Sequence, residues 1–232
     1  MTKLRKVLAT VCLTGIVFIG TACGSSNKVK TMDGEKLAAI EANDKKKEDY
    51  LVIDVRSEEE YDEGHIKFAI NMPIDSFEEN LSRIEGRGEK NIVVYCNSGK
   101  KSGEAAKILI KNGYKNVYNA DGVKQYDYDL VKFGNIFGTE LMELVNSEDT
   151  VILDAREQAD YEKEALKGAI PMTADTVEEN KEQLPEDLST KIEVHCYSGN
   201  RSAVLAETLT HMGYTNVINV LDGTKEMDYQ FE

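Results

Sequence analysis

Two cysteines stand where a chain can make a nucleophile. Cys96 opens the segment Cys96-Asn97-Ser98-Gly99-Lys100-Lys101-Ser102, and Cys196 opens Cys196-Tyr197-Ser198-Gly199-Asn200-Arg201-Ser202. Each follows an apolar run of strand length, contains a glycine, carries a cation and leads into a stretch with helical spacing. In that setting the backbone N–H groups of a tight loop converge on one anion, and a helix N-terminus adds about half a positive charge. A thiol so placed can fall from a pKa near 8.5 to roughly 3.5–7.5. The thiolate attacks, and a covalent intermediate divides one difficult transfer into two easier ones. The candidate catalytic residues are therefore Cys196 and Cys96. Ser198, Gly199 and Arg201 are candidates for holding the substrate in one loop, and Gly99, Lys100 and Lys101 in the other.

Each loop needs a strand to deliver it and a helix to receive it, and the sequence supplies both twice. A shift of 100 residues superposes Asp54 on Asp154, Arg56 on Arg156, Tyr61 on Tyr161, Cys96 on Cys196 and Ser102 on Ser202. After one inserted residue, Gly122 matches Gly223. A period this long suits a whole small domain rather than a solenoid repeat. Strand-length runs Leu51–Val55 and Asn91–Tyr95 precede a helical stretch Gly103–Lys111, and Val151–Asp154, Ile192–His195 and Ser202–Met212 repeat the order. The alternation predicts an α/β fold of two tandem domains, residues 31–128 and 129–232, each a central parallel sheet flanked by helices. Ligands of such sheets sit beyond the carboxyl ends of the strands, which is where both cysteines stand.

The net charge of −14 argues against nucleic acid as a partner recognised through bulk charge. A small anionic substrate stays compatible, because charge is screened beyond about 8 Å at physiological salt. With three histidines and no clustered ligands, no metal site is expected. The cysteines should occupy separate pockets, so no disulfide between them is expected. Asp54 with Arg56 and Asp154 with Arg156 are expected as buried ion pairs. His65 should cap or pack, His195 should be core or hydrogen-bonded framework, and the run Lys45-Lys46-Lys47, flanked by acids, should be a solvated loop.

Residues 1–22 resemble a bacterial lipoprotein signal peptide. Lys3, Arg5 and Lys6 precede the apolar run Val7–Gly20, and Gly20-Thr21-Ala22 leads into Cys23. That resemblance implies lipidation at Cys23, a lipidated tether over residues 23–30 and a location on the extracytoplasmic side of a bacterial cell membrane.

The body, residues 29–232, resembles the rhodanese-like sulfurtransferase family. The family's loop pattern, Cys-x-x-Gly-x-Arg, is met by Cys196, Gly199 and Arg201. Its upstream pattern is matched by Ile53-Asp54-Val55-Arg56, Gly64-His65-Ile66 and Ala69-Ile70-Asn71-Met72-Pro73. The resemblance implies transfer of sulfane sulfur from a small anionic donor such as thiosulfate, through a cysteine persulfide, to a thiol or protein acceptor, with no cofactor. The first copy puts Lys101 where the arginine belongs, keeping the charge without the planar fork, and Lys100 adds a second charge. The second copy has Glu164-Ala165-Leu166 in place of Gly64-His65-Ile66. By this pattern Cys196 ranks first and Cys96 second, since two-domain members commonly keep one working cysteine. A non-catalytic persulfide carrier or interaction module at the membrane is an alternative. A phosphatase or arsenate reductase of the related fold fits less well, for such loops need five residues between cysteine and arginine, and here there are four.

Overall fold

The computed structural model describes residues 28–147 and 149–231. The signal segment and Cys23 lie outside the described residues, as does most of the tether.

In the first half the strands are β1 (Lys30–Met32), β2 (Tyr50–Asp54), β3 (His65–Ile66), β4 (Ala69–Asn71), β5 (Asn91–Tyr95) and β6 (Val117–Ala120). Its helices are α1 (Gly34–Glu41), α2 (Glu58–Glu63) and α3 (Lys100–Lys111). The chain continues through β7 (Leu130–Val131), β8 (Gly134–Ile136), α4 (Gly138–Leu144), β9 (Thr150–Asp154), α5 (Gln158–Lys163), β10 (Ile170–Pro171), β11 (Lys191–His195), α6 (Asn200–His211) and β12 (Val217–Val220). One sheet has the order β1-β6-β5-β2-β4 and the other β8-β12-β11-β9-β10, so the two copies share one topology. All their pairings are parallel. Among the described residues no helix is long and apolar enough to cross a membrane.

The central strands read as unbroken apolar runs because both of their faces are covered. Leu51, Ile53, Ile92 and Val94 pack against Ala105, Ala106 and Leu109 of α3, while Val52 and Val93 point the other way onto Leu37 and Ile40 of α1. In the second half Ile192 and Val194 meet Ala203, Ala206 and Leu209 of α6, and Ile152 meets Leu141 of α4. The alanines let each helix approach its sheet closely. Fully burying each large aliphatic side chain contributes about 1.5–3 kcal/mol.

The halves are joined closely. Strand β7 turns back to pair antiparallel with β3 of the first half, setting Val131 opposite His65. Arg83 bonds Glu140 at 3.0 Å, and Arg87 bonds Asp222 at 2.5 Å while its guanidinium lies 3.6 Å from the centre of the Phe137 ring.

The strand beside each cysteine-bearing strand, β2 or β9, ends in a buried ion pair, as the sequence leads one to expect. Arg56 donates through Nε and Nη2 to Asp54 at 2.6–3.0 Å and to the Gly64 carbonyl at 2.8 Å. Arg156 does the same to Asp154 at 2.8–3.0 Å and to the Glu164 carbonyl at 2.7 Å. The register sets Tyr95 beside Asp54, and its hydroxyl donates to that carboxylate at 2.7 Å. In the second sheet His195 takes the same place beside Asp154. It is fully buried, its ring 5.5 Å from that of Tyr229, and neither ring nitrogen has a hydrogen-bond partner. His65 is also buried, stacked on Tyr61 at 3.6 Å with Nδ1 3.0 Å from the Tyr61 carbonyl.

Removing one member of a buried pair strands the other charge, so Arg156→Met should lower stability by about 3–5 kcal/mol in urea unfolding. Burial holds both His65 and His195 down to about 4. Above about pH 6.5 they are neutral whether the chain is folded or not. As pH falls from there towards 4, only the unfolded chain takes up the protons, so stability is lost at up to about 1.4 kcal/mol per pH unit for each histidine. The stability of His195→Gln should therefore fall less steeply than that of the wild type across this window, when urea midpoints are measured at successive pH values.

Candidate active site

Each cysteine is the residue after a central strand, Cys96 after β5 and Cys196 after β11. The following loop turns through Gly99 at φ +77° and Gly199 at φ +80°, a left-handed conformation that a residue with a Cβ adopts only under strain. These glycines cap α3 and α6 without a side-chain acceptor, which leaves first-turn N–H groups directed at the loop. The loop carbonyls are taken from behind. Val123 N–H donates to Cys96 O and Lys124 N–H to Asn97 O, both at 3.0 Å. Thr224 and Lys225 repeat the pattern on Cys196 O and Tyr197 O at 3.1 and 3.0 Å. This backing is possible only because Gly122 and Gly223 lack side chains: a Cβ on either would stand 2.3 Å from a cysteine carbonyl oxygen.

With the carbonyls occupied, the N–H groups are left for the sulfur. The Cys96 thiol accepts the Ser102 hydroxyl at 3.3 Å, and the N–H groups of Ser102, Ser98 and Gly99 add a pull that favours its thiolate. Burial alone pushes this thiol up, but those hydrogen bonds together hold it below its ordinary value. Cys196 has Ser202 Oγ at 3.2 Å. Both thiols are free and recessed, Cys96 2% and Cys196 1% exposed.

The two mouths differ. Around Cys96, Ser98, Lys100 and Lys101 are all exposed, and Asn97 donates to Glu60 at 2.7 Å. Around Cys196 the loop is covered. Arg201 is bound by the Glu157 carboxylate at the surface, and the Tyr197 hydroxyl by Asp160. Gly199 is buried, and Asn200 reaches the Asp44 carbonyl at 3.4 Å. The Ser198 carbonyl accepts from Lys47 of the first half.

That last contact corrects the expectation of a solvated Lys45-Lys46-Lys47 loop. Lys45 and Lys46 are exposed, but Lys47 is only 7% exposed, with its ammonium 4.6 Å from the Phe68 ring centre. Its apolar stem is buried while its head finds a carbonyl of the second half and an aromatic face of the first. Burial draws the ammonium below its ordinary value. A cleft of about 460 Å³ between the halves is lined by Lys47, Arg87, Asp222 and Glu226, and neither cysteine lines it. Among the described residues no cluster of three or more metal-ligating side chains exists.

The profile of the rhodanese-like domain matches this chain twice, over residues 37–123 and 138–228. The chain belongs to the rhodanese-like family. Curated relatives include a tRNA uridine(34) hydroxylase of Photorhabdus laumondii subsp. laumondii, 37% identical over 94 residues that make up 38% of this chain and 27% of that protein. Another, of Yersinia pestis, is 40% identical over 78 residues, 32% of this chain and 22% of that one. The match thus spans about a quarter of the length of these relatives. Solved structures that align include a thiosulfate sulfurtransferase from Pseudomonas aeruginosa at 21% identity, over 88% of this chain and 43% of that one, with a TM-score of 0.37. A rhodanese with anions from E. coli aligns at 37% identity over 36% of this chain and 98% of its own, with a TM-score of 0.34.

Within this rhodanese-like frame, the residues that sequence reasoning missed are those that act through packing. Gly122 and Gly223 were visible only as a matched pair, as were Ser102 and Ser202. The role of Lys47 left no trace in the pattern. Gly122→Ala and Gly223→Ala should each cost about 1–3 kcal/mol in urea unfolding, because the new methyl group must displace backbone. Gly88→Ala, whose Cβ would meet only Tyr114 at 3.9 Å, should change stability little.

Proposed function

We propose that this chain is a sulfurtransferase that carries sulfane sulfur as a cysteine persulfide, held by a lipid on Cys23 at the outer face of a bacterial membrane. The observation that carries this reading is a recessed thiol that follows a central strand and meets a helix start, with a serine hydroxyl within 3.3 Å of the sulfur, present once in each half. At Cys96 the Ser102 hydroxyl and the N–H groups of Ser102, Ser98 and Gly99 favour a thiolate and, after reaction, the terminal sulfur of a persulfide. The proposed donor is a small sulfur anion such as thiosulfate, drawn in by Lys100 and Lys101 at one mouth and, once released from Glu157, by Arg201 at the other.

In the first step the thiolate attacks the sulfane sulfur. A bond forms between Sγ and that sulfur, the S–S bond of the donor breaks, and sulfite leaves with the bonding pair. In the second, a thiophilic acceptor attacks the outer sulfur, and Sγ departs as thiolate, ready for another cycle. The tRNA activity named for the curated relatives belongs to proteins of which the matched stretch is about a quarter. A net charge of −14 gives this chain little with which to hold a polyanion, so we do not extend that activity to it.

The test is thiocyanate formation from thiosulfate and cyanide by the full chain in detergent. Cys96→Ser and Cys196→Ser should each lower the rate, and the double variant should fall to the uncatalysed background; an unchanged double variant overturns the proposal. A one-sulfur mass gain on either cysteine without turnover would indicate a carrier instead. For the anchor, Cys23→Ser should abolish incorporation of a labelled fatty acid and move the protein to the soluble fraction.

A further inference from the structure

A buried line of side chains runs from the first half to Cys196, and its protons can be assigned one by one. Asn135, on β8, turns its Nδ2 to the Lys67 carbonyl at 2.9 Å and the Ala69 carbonyl at 3.0 Å. A backbone carbonyl only accepts, so that end of the amide must be nitrogen. Asn135 Oδ1 then faces Asn219 at 2.9 Å, and Asn219 must answer with its own Nδ2. This leaves Asn219 Oδ1 for Ser202 Oγ at 2.6 Å. An amide oxygen also only accepts, so the single Ser202 proton goes to Asn219. Ser202 Oγ is 3.2 Å from Cys196 Sγ and meets it without a proton to give. It can take a hydrogen bond from a thiol S–H and offers nothing to a thiolate.

The first half lacks this line. Asn119 occupies the register place of Asn219, but the neighbouring-strand residue is Thr31 where the second half has Asn135. Thr31 is exposed, and Asn119 instead donates to the Gly99 carbonyl at 3.0 Å, its buried Oδ1 left without a partner. Ser102 is therefore free to donate to Cys96 at 3.3 Å. Two loops of nearly one backbone shape thus present their sulfurs with opposite hydrogen-bond polarity.

We propose that Asn219, oriented by Asn135, is a positioning residue that keeps the proton on Cys196, so that Cys96 is the thiol that attacks the donor first. This order is the reverse of the one the loop motif suggests, and it rests on the persulfide reading of the two cysteines. The charged and titratable groups near Cys196 are Lys47 from the first half, Arg201 on α6 and Tyr229 near the C-terminus. Lys47 and Arg201 favour the thiolate, but each is engaged elsewhere, Lys47 with the Ser198 carbonyl and Arg201 with Glu157. Near Cys96 stand Glu60, bound to Asn97 of the loop, and Lys101. All of these stay in place in the variants below.

The test is the pH dependence of iodoacetamide alkylation at each cysteine, followed by mass spectrometry on the full chain in detergent. In the wild type the midpoint for Cys96 should lie about one pH unit or more below that for Cys196, roughly a tenfold difference in thiolate fraction. Asn219→Ala frees the Ser202 hydroxyl and should lower the Cys196 midpoint by about one unit while leaving Cys96 unchanged. Asn219→Asp still accepts from Ser202 and should leave the Cys196 midpoint where it was or raise it. A merely structural role would move both variants the same way. Should Asn219→Ala fail to fold, the serines give a second measure: Ser102→Ala should raise the Cys96 midpoint, whereas Ser202→Ala should not raise that of Cys196. Equal midpoints in the wild type, or parallel responses of the two serine variants, overturn the proposal. No sulfur donor enters the measurement, so it is decided separately from thiosulfate turnover.

Discussion

The chemistry of both halves depends on a backbone-to-backbone contact between two loops that are distant in sequence. The loop after β6 lays its N–H groups on the carbonyls of Cys96 and Asn97, and the loop after β12 does so on Cys196 and Tyr197. Each peptide has one donor and one acceptor on opposite edges, so satisfying the carbonyls from behind turns the amides towards the sulfur. The approach is so close that only glycine fits at Gly122 and Gly223. The cysteine loop is thus shaped from outside as well as by its own residues, among them Gly99 and Gly199 at positive φ.

The strand ends beneath these loops are held by charge buried as a complete unit. Asp54 and Asp154 each accept several hydrogen bonds from the arginine two residues on, which in turn reaches a carbonyl eight residues further. Buried ions are tolerated where every donor is answered. The first copy closes the arrangement with the Tyr95 hydroxyl, while the second carries His195 there with both nitrogens unanswered. The second copy is therefore the less completely satisfied of the two around its ion pair.

Much of this was legible in the sequence, and the reasons are local. Apolar runs such as Ile92-Val93-Val94 announce a strand covered on both faces, and the constant offset between copies marks two similar sheets. The Asp-x-Arg spacing suffices to anticipate an ion pair, because two residues along the same bend cannot escape each other. What stayed hidden depends on how the halves dock. Lys47 looks like part of a solvated run until Phe68 and Ser198 are brought to it. Arg201 looks like a free anion ligand until Glu157 stands beside it. The Ser102 and Ser202 positions are identical in pattern, and only a residue on a neighbouring strand, Thr31 or Asn135, distinguishes their hydrogen-bonding.

The carbonyls of Lys67 and Ala69 that orient Asn135 lie in the first half, while Asn135 itself is a residue of the second sheet. A duplicated gene begins as two interchangeable modules. Once the surroundings of one module's cysteine are set by the other's backbone, interchangeability is gone: an excised second half, or a chain with its halves transposed, would keep every residue of its loop and lose the bearing on which that loop's proton inventory depends.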